Sequence, residues 1–205
     1  MEYAIRGWHD DPDGGPRLRL DYRAFAYAGK FVMSSTGTAV VRDGTDPWAL
    51  DDTVREADDE PSRISDPTVV AAVAFNEDRT DADALWLRYV TVRADRRGEG
   101  IGPRLVAFVC ERARERGYEL CRIAVNNVFS YEALAKAGFS YTGRETGLAE
   151  VVLERDLGVD PSVDPDTYRR GLDVFRERDL SAGERAFLDD REAAGPPAVV
   201  DSPEE

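Results

Sequence analysis

The chain is poor in lysine, histidine, cysteine and methionine. Of its 27 basic residues all but two are arginine, the exceptions being Lys30 and Lys136; His9 is the one histidine, and Cys110 and Cys121 are the only cysteines. So few nitrogen and sulfur ligands leave a structural zinc site almost nothing to draw on, and no metal is expected. The two cysteines fall on a predicted helix and a predicted strand, which favours buried free thiols in a reducing compartment over a disulfide. Long apolar runs are also missing. No stretch approaches the ~20 residues of a spanning helix, and Met1 to Asp11 holds no apolar core of a signal peptide. A cytoplasmic protein is expected. An excess of positive charge is absent as well: the formal net charge is −14. That disfavours wholesale binding to nucleic acid or to an anionic membrane, both of which need a basic footprint.

What the chain has instead is carboxylate. Clusters at Asp10-Asp11, Asp51-Asp52, Asp58-Asp59-Glu60 and Asp189-Asp190 are spread along the whole sequence. Together with the replacement of lysine by arginine, they suggest a halophilic source, with a surface kept soluble in high salt. An acidic surface for cationic substrates is the competing reading.

The 205 residues allow one well-buried domain plus extensions. Residues 17 to 42 carry short apolar runs of irregular period, Leu18 to Tyr22, Phe25 to Val32 and Thr38 to Val41, which read as early strands or a strand and a short helix. Residues 42–67 turn to Asp, Glu, Pro and Ser and read as an exposed acidic loop or insertion, with one helical turn around Asp51 to Glu56. Thr68 to Phe75 is a candidate buried strand, and Asn76 to Asp83 a polar turn. Leu85 to Arg93 alternates in character, so that strand has two chemically different faces, one carrying Arg88. A helix-like run follows from Pro103 to Arg116. Leu105, Val106, Phe108, Val109 and Ala113 form its apolar stripe, with Pro103 in its first turn and Gly117 past its end. Glu119 to Val125 and Glu150 to Leu153 supply further strands. Beyond Leu157, helical spacing of Tyr168, Leu172 and Phe175, and again of Ala186 to Leu188, predicts one or two amphipathic helices, the second opened by a capping box at Ser181 to Glu184. The expected organisation is a domain over 1–157, a helical extension over 158–194 and a disordered tail over 195–205. The helices either close over the domain or pair two subunits in a homodimer.

The stretch that carries chemistry is Arg96-Arg97-Gly98-Glu99-Gly100-Ile101-Gly102, between a strand and a helix. Glycines there let the backbone take φ > 0 and approach an anion closely. The free N–H groups of the first helical turn and the positive end of the helix dipole then favour a pyrophosphate. A Walker loop needs Lys and Ser or Thr after its last glycine, whereas Pro103 and Arg104 stand here. A dinucleotide fold needs GxGxxG within repeated βαβ units, and these glycines alternate instead.

The spacing resembles the RxxGxG element of the GCN5-related N-acetyltransferases (GNAT). The likeness extends over about 70 residues. Val90-Thr91-Val92 matches the strand whose exposed backbone pairs with the pantetheine arm of acetyl-CoA. Asn127 matches a frequent Asn at the end of the next strand, although as a residue it reads equally as a helix N-cap or turn. Tyr131 to Phe139, ending Lys136-Ala137-Gly138-Phe139, is similar to the following short helix and Gly-Phe turn. The resemblance implies an α/β (α+β) fold, a mixed, mostly antiparallel sheet flanked by helices, with the C-terminal helical extension added. It also implies acetyl-CoA as co-substrate, held by Val90, Thr91, Val92, Arg97, Gly98, Glu99, Gly100, Ile101, Gly102 and Asn127, and transfer of its acetyl group to an amine by direct attack in a ternary complex. The acceptor is a small molecule or a protein amine. Where many members carry a Tyr that protonates the departing thiolate, this chain has Leu134; Tyr131, three residues earlier, is the candidate substitute. The family's frequent Glu is missing from Trp86 to Thr91; Glu77 and Asp78, after the preceding strand, either reach the site through a water or are ordinary polar turn residues. These departures motivate a second reading, a CoA-binding sensor or interaction module of the same fold without turnover.

Overall fold

The computed structural model describes residues 1–11, 17–33, 36–48, 63–192 and 194–204. The helical turn expected around Asp51 to Glu56 lies outside the described residues.

Seven strands form the main sheet: β1 (Glu2–Gly7), β3 (Gly37–Arg42), β5 (Val69–Glu77), β6 (Ala84–Val92), β7 (Leu120–Val125), β8 (Ser140–Glu145) and β9 (Val151–Asp156). Their order is β1-β3-β5-β6-β7-β9-β8. All neighbours are antiparallel except β6 and β7, which run parallel. The other two, β2 (Arg17–Arg19) and β4 (Arg63–Ser65), make a small parallel pair. This is the mixed, mostly antiparallel sheet expected. Strand β1 had no announcement in the sequence, because its six residues alternate weakly and are half-buried at a sheet edge.

Alternation along β3 and β5 sorts the core into two layers. Ala39, Val41, Val73 and Phe75 face one layer with the helix α2 (Ile101–Glu115), which contributes Leu105, Val106, Phe108 and Val109. Val40, Ala72 and Ala74 face the other, covered by Leu18, Phe25 and Phe31 of the chain around α1 (Ala28–Met33). The parallel β6–β7 step explains why a helix intervenes: parallel neighbours need a crossover, and α2 supplies it. That helix begins at Gly100 in the left-handed conformation and ends at Gly117, φ +90°, where Tyr118 N–H bonds back to Ala113.

Helix α3 (Val128–Lys136) follows β7, and α4 (Pro165–Arg176) and α5 (Ala182–Glu192) follow β9. Of the two arrangements open for the C-terminal helices, the chain shows closure over its own domain: α4 packs on α3 and β8, and α5 on α3 and α4. Ser181 and Glu184 form the reciprocal capping box at the start of α5, with Ser181 N–H donating to Glu184 at 2.9 Å and Glu184 N–H to Ser181 Oγ at 3.3 Å. Residues 194–204 form neither helix nor strand, and Val200 N–H donates to the Lys136 carbonyl at 2.8 Å. Among the described residues no helix is long and apolar enough to cross a membrane.

Candidate active site

Strands β6 and β7 pair only from Ala84↔Leu120 to Leu87↔Ile123. Beyond Leu87 they separate, and the opened edge of β6 has no strand partner on that side. Arg93 N–H bonds to Val70 on β5, so the backbone of Val92 turns the other way, and its carbonyl accepts from Arg97 Nε at 3.3 Å. By the two-residue period of a strand, Val90 presents its N–H and C=O to the same open side.

The open edge runs directly into the glycine loop. Gly98 and Gly100 have φ of +88° and +75°, a conformation that side chains rarely adopt, which accounts for glycine at both. Gly102 is needed for closeness: a Cβ there would stand 3.3 Å from Val92 Cγ2, so the first turn of α2 is pressed against β6. Loop, β6 and α3 together wall a cleft of about 460 Å³, lined by Val90, Val92, Arg97, Gly98 and Gly100 to Gly102 on one side and by Phe129, Ser130, Ala133 and Lys136 on the other. Phe187 of α5 closes its rim, with its ring 5.2 Å from that of Phe129. Of the cations at the mouth, Arg96 pairs with Asp43 and Glu99, and Lys136 with Glu132, which also lines the cleft; Arg97 bonds to the Val92 carbonyl.

The other expected site residues are placed unevenly. Glu99 is turned away from the cleft and held by Arg96 at 2.9 Å, so only its backbone is near the loop. The Ile101 side chain is 2% exposed and belongs to the core. Thr91 is buried on the opposite face of β6 from Val90 and Val92, its hydroxyl without a hydrogen-bond partner. Asn127 is the N-cap of α3, its side chain accepting from Ser130 N–H at 2.9 Å. Asn127 thus acts as the N-cap that its residue type allows. Tyr131 does not reach the cleft. It is 2% exposed, packs between Tyr168 and Phe175, and donates its hydroxyl hydrogen bond to the Tyr168 carbonyl at 3.0 Å. Burial pushes the phenol well above its ordinary pKa. The expectation of Tyr131 as the acid is corrected on that ground: its proton faces α4, not a ligand.

Asp78, too, is committed elsewhere. Burial disfavours its charge, but Thr80 and Arg122 outweigh that and hold its carboxyl below the usual range. The residues that sequence reasoning missed are Ser130, Lys136 and Phe187. Ser130, Ala133 and Leu134 share the cleft face of α3 at i, i+3 and i+4, and that spacing was the available signal. Both cysteines are buried and neither lines the cleft.

Residues 38–139, close to half of the chain, match the acetyltransferase (GNAT) family. Over those residues the chain is a GNAT-family acetyltransferase domain. No curated protein matches it. Among solved structures it is similar to nourseothricin acetyltransferase (18% identity, 60% of this chain and 65% of that one, TM-score 0.44). It is also similar to an N-acetyltransferase from Staphylococcus aureus Mu50 (17%, 60% and 68%, 0.44) and to an IAA acetyltransferase from Bacillus cereus ATCC 14579 (16%, 76% and 99%, 0.48). The chain thus spans just under two thirds of the length of the nourseothricin enzyme.

Proposed function

We propose that the protein is an acetyl-CoA-dependent N-acetyltransferase that works by direct attack of an amine in a ternary complex. The observation that carries this reading is the continuity of the open β6 edge with the glycine loop. Pantetheine amides would pair with Val90 and Val92, and the pyrophosphate would meet the N–H groups of Gly98 to Gly102 at the positive end of α2. The residues fit such a ligand: two glycines in left-handed geometry, a third pressed on Val92, and Arg97 beside the loop.

When bound, acetyl-CoA supplies an acetyl group activated as a thioester. Transfer forms the N–C bond and breaks the C–S bond; the proton lost by the ammonium goes to water, and the thiolate regains one. The side chain best sited to hydrogen-bond the departing sulfur is Ser130, which lines the junction between the cleft and the space between the splayed strands. Because neither cysteine reaches the cleft, an acetyl-cysteine intermediate finds no support. The acidic composition further supports a halophilic origin for the enzyme.

The decisive variant is Gly100→Asp. A Cβ there meets nothing closer than Arg104 at 3.9 Å, and Asp is among the residues that best tolerate positive φ, so the fold survives while bulk and like charge oppose a pyrophosphate. Titration calorimetry should show CoA affinity reduced by about 100-fold or more, a loss of about 2.7 kcal/mol. Unchanged affinity would remove the reading. The locked hydroxyl of Tyr131 favours the second reading, a CoA-binding module without turnover. Acceptor-dependent thiol release separates the two.

A further inference from the structure

Between the splayed strands lies a second, smaller pocket of about 110 Å³ that meets the large cleft at Val90, Ser130 and Leu134. If the acetyl-CoA reading above holds, this is where an acceptor reaches the thioester. Two ionised side chains line it, and each lacks an ion-pair partner among the described residues.

The first is Arg88. It is the extra residue of a bulge, since Ala74 pairs with Tyr89 and Phe75 with Leu87, and it stands one residue past the last β6–β7 pair. A bulge of this kind re-aims a side chain. The guanidinium is then fixed on two sides, lying over the Trp86 ring at 4.9 Å and donating from Nε to Asn76 Oδ1 at 2.6 Å. Neither terminal nitrogen has a partner among the described residues. Arg42, Arg93, Arg96 and Arg122 hold carboxylates, whereas the buried Arg155 holds the Ala137 carbonyl.

The second is Glu150, which immediately precedes β9 and also lines the pocket. Its carboxylate accepts one hydrogen bond, from Thr146 Oγ1 at 3.1 Å. Between the two groups the wall is apolar and aromatic: Tyr27 and Tyr89, with ring centres 5.8 Å apart, face Ile123 and Val125.

We infer that the acceptor is a small zwitterion, an amine that carries its own carboxylate, such as a free amino acid. A pocket offering one cation and one anion on an apolar wall is matched by a ligand with the opposite pair. Arg88 presents two parallel N–H groups to a carboxylate, the geometry in which a guanidinium is most selective, while Glu150 draws the ammonium end. The volume limits the acceptor to a compact molecule.

The test uses the full chain, acetyl-CoA and thiol-release kinetics. Common L-amino acids and ω-amino acids are compared with their carboxamides and with the corresponding amines lacking the carboxyl group. At least one amino acid should exceed its carboxamide in kcat/KM by about 30-fold, the worth of a charged hydrogen-bonded pair. Arg88→Met should abolish that preference through KM while leaving CoA affinity unchanged. Equal turnover of carboxamides, decarboxylated amines or amidated peptides would overturn the zwitterion assignment while leaving N-acetyl transfer intact. So would an Arg88→Met variant that loses activity equally on all of them. Absence of thiol release with every amine, CoA binding being retained, would overturn this assignment and the acetyltransferase reading together.

Discussion

The Tyr131 hydroxyl has one partner, the Tyr168 carbonyl at 3.0 Å, and that bond lies wholly inside the protein. Its removal tests whether the tyrosine is structural. In Tyr131→Phe the carbonyl loses a donor at a site water does not reach, which should lower the unfolding free energy by about 1 kcal/mol. Turnover should be unchanged, because no proton can pass from a buried phenol to a ligand in the cleft. Chemical denaturation and thiol-release kinetics on the same preparation check both parts. A fall in kcat of about tenfold or more at unchanged stability would return the tyrosine to the chemistry.

At the scale of elements, the docking of α4 on α3 depends on one small residue. A Cβ on Gly171 would lie 2.1 Å from Tyr131 Oη and 2.5 Å from its Cζ. Alanine is favoured over glycine in a helix by about 1 kcal/mol, but that gain is outweighed by forcing a buried ring out of its place, a cost of about 1–3 kcal/mol or more. Gly171→Ala should therefore destabilise the protein despite its better helix propensity. Because α4 and α5 pack on each other and Phe187 of α5 rims the cleft, CoA should also bind more weakly. Adding Tyr131→Phe should relieve the clash only in part, since Cζ remains. A Gly171→Ala protein that melts higher than the parent would show that the helices are not seated this way. These contacts also mark the boundary of what the sequence could disclose. The glycine loop, the strand before it and the helix after it were legible because their signals are local: turn residues at fixed offsets, alternation, and an apolar stripe. The splay of β6 from β7 was not, because strand register depends on residues far apart in the chain. Nor was the fate of Tyr131. It lies beside Ser130 on the same helix, but α4, arriving some 37 residues later, covers one and leaves the other facing the cleft. That Asn127 caps α3 became visible only from the position of Ser130 N–H.

Over the whole molecule, two electrostatic effects of opposite sign determine how stability depends on pH. The first is self-repulsion. With 41 acidic and 27 basic residues the chain carries a formal charge of −14 at pH 7 and an isoelectric point near 4.6. Surface ion pairs such as Arg114–Glu111 and Arg169–Asp166 contribute about 0–1 kcal/mol each at best, so they do not offset an excess of that size. As pH falls from 7 towards the isoelectric point, unpaired carboxylates take up protons and the repulsion declines. Stability should rise. The second effect belongs to carboxylates held in place. Asp21 accepts from the Arg23 guanidinium, the Arg23 N–H and Trp48 Nε1, which hold its carboxyl down to about 2. Hydrogen bonds from Thr45 and Arg96 bring Asp43 to about 2 as well. Because these folded-state values lie below the unfolded ones near 3.9, their contribution is complete above about pH 4 and is lost as pH falls towards about 2. For Asp21 it amounts to about 1–2 kcal/mol once the 40% exposure of the Arg23 side chain is allowed for. The two effects together place the stability maximum at low salt near about pH 5. Potassium chloride at about 2 M shortens the screening length below about 3 Å, which removes the repulsion between surface carboxylates but not the hydrogen bonds in the Asp21 niche. Thermal melts should show Tm at pH 7 rising by about 5 °C or more between dilute and concentrated salt. The slope between pH 7 and 5 should flatten, and the fall below pH 4 should persist. A Tm at pH 7 that does not respond to salt would mean that the acidic surface serves cationic ligands instead of solubility in brine.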